Sequence, residues 1–178
     1  RLTSPAYKIR NYSELSIPYL CIATDIANGE AYEMTRGNLQ RSIRASMSIP
    51  FYFTPVEVDG RLLIDGGMRN NFPVQNLRDK GVDIIIGVDV QRNFHTKEEI
   101  NSLTKILDQM IAITDIDANK KAMEEIDIHI RPQLGSYGMM DFNSFDSIIA
   151  IGEEAAREYL PQLKHLADSI RSIQEYTV

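Results

Sequence analysis

The segment Arg61-Leu62-Leu63-Ile64-Asp65-Gly66-Gly67-Met68-Arg69-Asn70-Asn71-Phe72-Pro73-Val74 constrains this chain more than any other. An apolar run ends abruptly on a carboxylate, and two glycines, two amides and a proline follow. Leu62-Leu63-Ile64 has no polar member, so a strand here is expected to bury both faces, as in a sheet covered by helices. Asp65 then lies where the strand leaves the core. Gly66 and Gly67 permit positive φ and a sharp turn with no side chain in the way. Ligands of open α/β sheets bind outside the carboxyl ends of the strands, which is where this reading puts Asp65. Asp-Gly pairs also close ordinary turns, with the Asp capping nearby N–H groups. The rest of the chain has to decide between turn and site.

Composition removes several classes of function. A length of 178 residues suits one domain with a sizeable core. A net charge of −6 argues against nucleic acid, whose phosphates call for a concentrated basic face, and against a purely electrostatic grip on anionic lipid. The single cysteine, Cys21, excludes an internal disulfide, and its apolar neighbours suit a buried thiol. His95, His129 and His165 are far apart and in no ligand spacing, so no zinc site is expected. Strand-end carboxylates at Asp25, Asp65 and Asp89 would be the alternative ligand set for a divalent cation. A lone Gly87 gives no dinucleotide fingerprint, so no cofactor is expected. The start at Arg1 is neither a signal nor a transit peptide. Without an initiating methionine, it reads as a processed chain or one cut from something longer.

Along the chain, Tyr19 to Ala23 reads as a buried strand that ends at Thr24-Asp25. Asn28-Gly29 is a hairpin signal, and Glu30 to Thr35 runs back as its partner. Asn38 caps a helix with Leu39, Ile43 and Met47 on one side, and Pro50 ends it. Phe51 to Val58 reads extended, with Asp59-Gly60 as a second hairpin turn. Val74 to Lys80 fits a short helix stopped at Gly81, and Val82 to Val90 is the most sheet-like piece. Strand, helix, strand in this order predicts a parallel crossover. Glu98 to Ile113 and Ile116 to Glu125 read as helices, and 126–130 alternates like a half-covered strand, with His129 on its solvated face. Gly135 to Met140 is a loop with apolar side chains, either folded onto the core or walling an acyl-chain pocket. Phe145 to Leu160 and Leu163 to Tyr176 close the chain as helices separated by Pro161.

Taken in order, Ala23-Thr24-Asp25, Arg44-Ala45-Ser46-Met47-Ser48-Ile49-Pro50, Asp65-Gly66-Gly67 and Asn70-Asn71 before Pro73-Val74 form a specific set. It resembles the second half of a patatin-like phospholipase domain, and most closely bacterial members of that family. The resemblance continues through Gly81 to Val90 and from Asp141-Phe142 to Gly152-Glu153.

That resemblance implies an α/β chain with a three-layer α/β/α fold and a mostly parallel sheet, truncated at its N-terminal side. Residues 1–178 would be the C-terminal part of one such domain. It implies a lipid acyl hydrolase with a Ser–Asp dyad, in which the Asp falls on Asp65 with Gly66 and Gly67 beside it. Asn70 and Asn71 would orient the carboxylate, bind the glycerol region of a substrate, or hold the turn. The family's Gly-x-Ser-x-Gly elbow and oxyanion loop belong upstream, and no Gly-x-Ser-x-Gly occurs here. The chain alone is therefore expected to be inactive, or else to be a non-catalytic binding or scaffold module. The partners expected are a lipid or ester substrate and a membrane surface, with no nucleic acid. An exposed apolar sheet edge predicts a homodimer or association with the missing N-terminal half. The bacterial resemblance implies a cytoplasmic or envelope-associated protein.

Overall fold

The computed structural model describes residues 3–91, 94–114, 116–138 and 141–176. The chain divides into two compact units, residues 1–81 with 94–124 and residues 82–93 with 125–178.

The first unit is built on an antiparallel sheet. Strand β1 (Cys21–Asp25) is buried at every position. Asn28-Gly29 turns the chain, with Gly29 at φ 73° and its N–H donating to the Asp25 carbonyl at 2.8 Å. Strand β2 (Glu30–Met34) then returns in the register Cys21↔Met34 to Asp25↔Glu30. Helix α1 (Leu39–Ser46) starts at Asn38, whose side chain accepts from the Arg41 N–H at 3.0 Å. Strands β3 (Val56–Val58) and β4 (Arg61–Asp65) form the second hairpin. Asp59 and Gly60 both take positive φ, 50° and 75°, as a tight hairpin turn whose twist matches its strands requires. Strand β4 also pairs antiparallel with β1, and the sheet order is β2-β1-β4-β3.

The core of this unit is Cys21, Ala23, Met34, Ala45 and Leu63, with Tyr32, Val56 and Val58 at its margin. Helix α1 does not bury the expected row. Met47 is exposed, while Ser42 and Ala45 are buried. Small side chains let the helix lie close to the sheet, and the Ser42 hydroxyl bonds Tyr12 Oη at 2.7 Å, which satisfies both buried groups. Pro73 precedes the short helix α2 (Val74–Arg78), which packs against α4 (Ile116–Glu124). Between them in the chain lie β5 (Ile86–Val88), which belongs to the second unit, and α3 (Leu103–Thr114).

The second unit pairs β5 in parallel with β6 (Ile128–Ile130), in the register Ile86↔Ile128 to Val88↔Ile130. Helices α5 (Phe145–Glu158) and α6 (Leu160–Tyr176) follow. Pro161 sits in the first turn of α6 rather than before it, where its missing N–H costs nothing.

The chain is α/β, but the expected mostly parallel sheet is not what the described strands form. The parallel pair is β5–β6, and the four-stranded sheet is antiparallel throughout. The crossover expected between β4 and β5 is absent for the same reason: both partners of β4 are antiparallel neighbours, and β5 belongs to the other sheet. Phe51 to Val58 is extended only from Val56, because the N–H groups of Tyr52 and Phe53 turn back to the Ile49 carbonyl. Leu62 is 46% exposed, so β4 buries both faces only at Leu63 and Ile64.

Candidate active site at the end of strand β4

Asp65 is the last residue of β4, paired with Ala23 of β1. Its N–H donates to the Ser48 carbonyl at 2.9 Å, which ties the strand end to the loop after α1. The chain then enters a single 3₁₀ turn, Gly66–Met68, that Asp65 caps: its Oδ1 accepts from the Gly67 N–H at 2.7 Å. Burial pushes the Asp65 carboxyl above the usual Asp range, and the Gly67 N–H opposes that shift without cancelling it.

The glycines serve space, not torsion. Neither is among the residues with positive φ. A Cβ on Gly66 would lie 2.3 Å from the Ile22 carbonyl oxygen, so the turn packs directly on the backbone of β1. A Cβ on Gly67 would lie 2.7 Å from Asn71 Oδ1 and 2.9 Å from Asp65 Oδ1. Gly67 therefore keeps open the ground that Asp65 and Asn71 share.

The two amides separate. Asn71 reaches Gly67, whereas the Asn70 amide donates to Asn76 Oδ1 at 2.9 Å. Asn76 in turn donates to Glu33 Oε2 at 2.6 Å, and Lys80 Nζ lies 2.6 Å from Glu33 Oε1. Burial works upward on the Glu33 carboxyl, but Lys80 and Asn76 hold it below the usual range. Asn70 thus ties the turn to α2, and Asn76 ties α2 to β2.

The nearest serines in the family-like segment are engaged with backbone. Ser46 Oγ donates to the Ile22 carbonyl and Ser48 Oγ to the Arg44 carbonyl, both at 2.6 Å. The carboxylates weighed as metal ligands also have their own partners. Asp25 holds Arg61 at 3.0 Å and caps the Ala27 N–H at 3.0 Å. Asp89, in the second unit, caps Gln91 and has His129 Nε2 and Arg131 Nε each at 3.5 Å. No group of three or more metal-ligating side chains occurs among the described residues. His129 is therefore not the plain solvated residue its alternating strand suggested. In the loop from Gly135, the Tyr137 N–H bonds the Leu134 carbonyl at 3.1 Å. Met139 and Met140, on which the acyl-wall reading leaned, lie outside the described residues.

The geometry is that of a half-buried carboxylate at a strand end, and the family comparison falls on the same segment. Residues 13–78 match the patatin-like phospholipase family. The match spans β1 to β4, α1, α2 and Asp65. The chain is also 28% identical over 183 residues to the patatin-like phospholipase domain-containing protein 7 of Mus musculus, covering 86% of this chain and 13% of that protein. Its Rattus norvegicus counterpart is 29% identical over 178 residues, with 84% and 13% covered. Lysophospholipase NTE1 of Pyricularia oryzae is 26% identical over 173 residues, with 83% and 12% covered. The chain thus spans about an eighth of the length of these curated relatives. A patatin-like α/β segment is supported in this way; the relatives named are eukaryotic and lend the bacterial reading no support.

Proposed function

We propose that this chain carries the acid half of a Ser–Asp lipid acyl hydrolase, with Asp65 as the base. The observation that carries this is the state of Asp65: it lies within the family match, half-buried, with its carboxyl held above the usual Asp range by desolvation. A normal Asp is a weak base at neutral pH, and raising its pKa moves it toward the range where proton transfer is effective.

The reaction is acyl transfer. A serine Oγ attacks the ester carbonyl carbon, and its proton passes to Asp65. Collapse of the tetrahedral intermediate breaks the bond to the leaving alkoxide, which takes that proton. Water then attacks the acyl-serine and gives its proton to Asp65; collapse breaks the acyl carbon–Oγ bond, releases the carboxylic acid, and the proton returns from Asp65 to the serine oxygen. Gly67 N–H fixes Oδ1 and leaves Oδ2 to meet the hydroxyl. The serine is supplied from outside these 178 residues, since they hold no Gly-x-Ser-x-Gly and Ser46 and Ser48 are bonded to backbone. The substrate class is a phospholipid or lysophospholipid ester, as the names of the relatives suggest.

The test is ester turnover by the intact protein. Asp65→Asn is expected to lower kcat by about 10²–10⁴-fold, the usual contribution of a positioned base. Undiminished turnover would overturn the assignment. The missing elbow also favours a second reading, a non-catalytic module that kept the fold. Ester hydrolysis by the intact protein, sensitive to Asp65, would exclude it.

The second unit supports an association. Ile84, Ile86, Val88 and Val90, alternate residues along β5 and its flanks, are all exposed, an apolar sheet face of the kind that further polypeptide covers. Its partner is a second copy or the preceding part of the domain. A lone, well-folded monomer in light scattering would refute this.

A further inference from the structure

A hollow of about 310 Å³ lies in the first unit, where the start of α1 faces strand β3 and its turn. That volume is at the lower end of the range for small-molecule sites. Its two sides differ in chemistry. Asn38, Arg41 and Ser42 stand on the α1 side, and Glu57 and Asp59 on the hairpin side. Arg41 and Glu57 are exposed, and among the described residues neither side chain has a partner. They do not pair with each other, although both line the same hollow. An unpaired surface charge is commonplace; here two of opposite sign flank one concavity.

The floor supplies a second, independent observation. Ser42 and Tyr12 are 1% and 0% exposed, and their hydroxyl oxygens lie 2.7 Å apart. That bond gives each oxygen a partner but uses only one of the two hydroxyl hydrogens. Among the described residues no acceptor takes the other. Gly37, at φ 107°, has no side chain to close the way: a Cβ there would meet nothing nearer than Tyr12 Oη at 4.0 Å. A buried donor left unspent costs free energy until a ligand oxygen accepts its hydrogen. The N-terminal end of α1 favours negative charge at the same place. The donors therefore suit an oxyanion, and the two carboxylates suit a cation. Among the described residues lining the hollow, Val58 alone has an apolar side chain, so an acyl chain has no wall to lie on. Asp59 and Asp65 flank opposite ends of β4, about 13 Å of strand, which keeps the hollow separate from the candidate base.

We infer that this hollow binds a small soluble zwitterion, with its oxyanion on Arg41 and the Ser42–Tyr12 hydroxyls and its ammonium between Glu57 and Asp59. The probe is glycerophosphocholine, titrated into the isotope-labelled protein and followed by amide chemical shifts; glycerol phosphate and choline serve as its two halves. Saturable shifts are expected at Asn38, Arg41, Ser42 and Glu57. Each half should bind at least about 10-fold more weakly than the zwitterion, the order for losing one charge-assisted hydrogen bond. Arg41→Gln and Glu57→Gln should each weaken the zwitterion by a similar factor. Their urea midpoints should match that of the parent, because both side chains are exposed and unpartnered among the described residues. No saturable shifts at these residues, equal affinity for either half, or undiminished affinity in either variant would each overturn the proposal. Ester turnover plays no part in this test, so the hollow and the Asp65 reading stand or fall separately.

Discussion

Replacing Gly66 by alanine should separate the support of the site from its chemistry. The added methyl would lie 2.3 Å from the Ile22 carbonyl oxygen and 2.7 Å from its carbonyl carbon. Neither atom can swing away, because both are backbone of the buried strand β1. An ordinary carbon–oxygen contact needs roughly 1 Å more, so β1 and the turn must part where Ala23 pairs with Asp65. Overpacking of this kind costs about 1–3 kcal/mol, and a backbone clash belongs at the upper end. Gly67→Ala differs, since its methyl meets the ends of two side chains, Asn71 and Asp65. These can shift, so its stability cost should be about 1 kcal/mol. The displaced carboxylate should lower turnover more than Gly66→Ala does per unit of stability lost. The assay is urea unfolding followed by circular dichroism, with ester turnover below the transition. Gly66→Ala with a wild-type midpoint at unchanged m would refute the close approach of turn and strand. Equal turnover by wild type and Gly67→Ala would refute the claim that Gly67 keeps room for the base.

Other consequences follow from the same contacts. Ser42→Ala should cost about 1–3 kcal/mol, because it leaves the buried Tyr12 hydroxyl unpaired, and Ser42→Ala with Tyr12→Phe should cost less than the two singles added; urea midpoints check both. Glu33 has a carboxyl depressed by Lys80 and Asn76, so its contribution is present above its unfolded pKa and is lost as pH falls through the folded value. Glu33→Gln should therefore flatten the acid side of the thermal midpoint against pH. Asp65 has the opposite sign. Its raised carboxyl makes the fold lose stability as pH climbs through the range between its unfolded and folded values. Asp65→Asn should accordingly raise the midpoint at neutral pH while turnover falls.

What the sequence made legible was local. Asn28-Gly29 and Asp59-Gly60 announce their hairpins through residues that tolerate positive φ, and both turns sit where the pattern puts them. Asn38 caps α1 as its amide side chain allows. Asp65 stands out because an apolar run ends on it. Sheet order was not legible, since pairing β1 with β4 across some forty residues depends on contacts no local pattern encodes. Val82 to Val90 is strand-like throughout, yet β6 offers only Ile128–Ile130, so only Ile86–Val88 pairs. The helix face also misled. Hydrophobic spacing favoured Leu39, Ile43 and Met47, but close packing selected Ser42 and Ala45. At the site, the two glycines drew attention for torsional freedom and proved to matter for room. Adjacent amides gave no sign that Asn70 would turn to Asn76 and Asn71 to Gly67. The Ser48 carbonyl and the left-handed Phe51, at φ 70°, were missed. The signal for both lay in Ser48-Ile49-Pro50-Phe51, where the proline forces a turn beside an aromatic residue.

The proposed acyl transfer turns on Asp65 working as a base while ionised. The direct measurement is the pH dependence of kcat/KM for a soluble ester, in the intact protein and its Asp65→Asn variant. A wild-type acid limb set above the usual Asp range, and absent from a variant slowed about 10²–10⁴-fold, is the expected result. The same acid limb at the same rate in the variant would assign the proton transfer to another group.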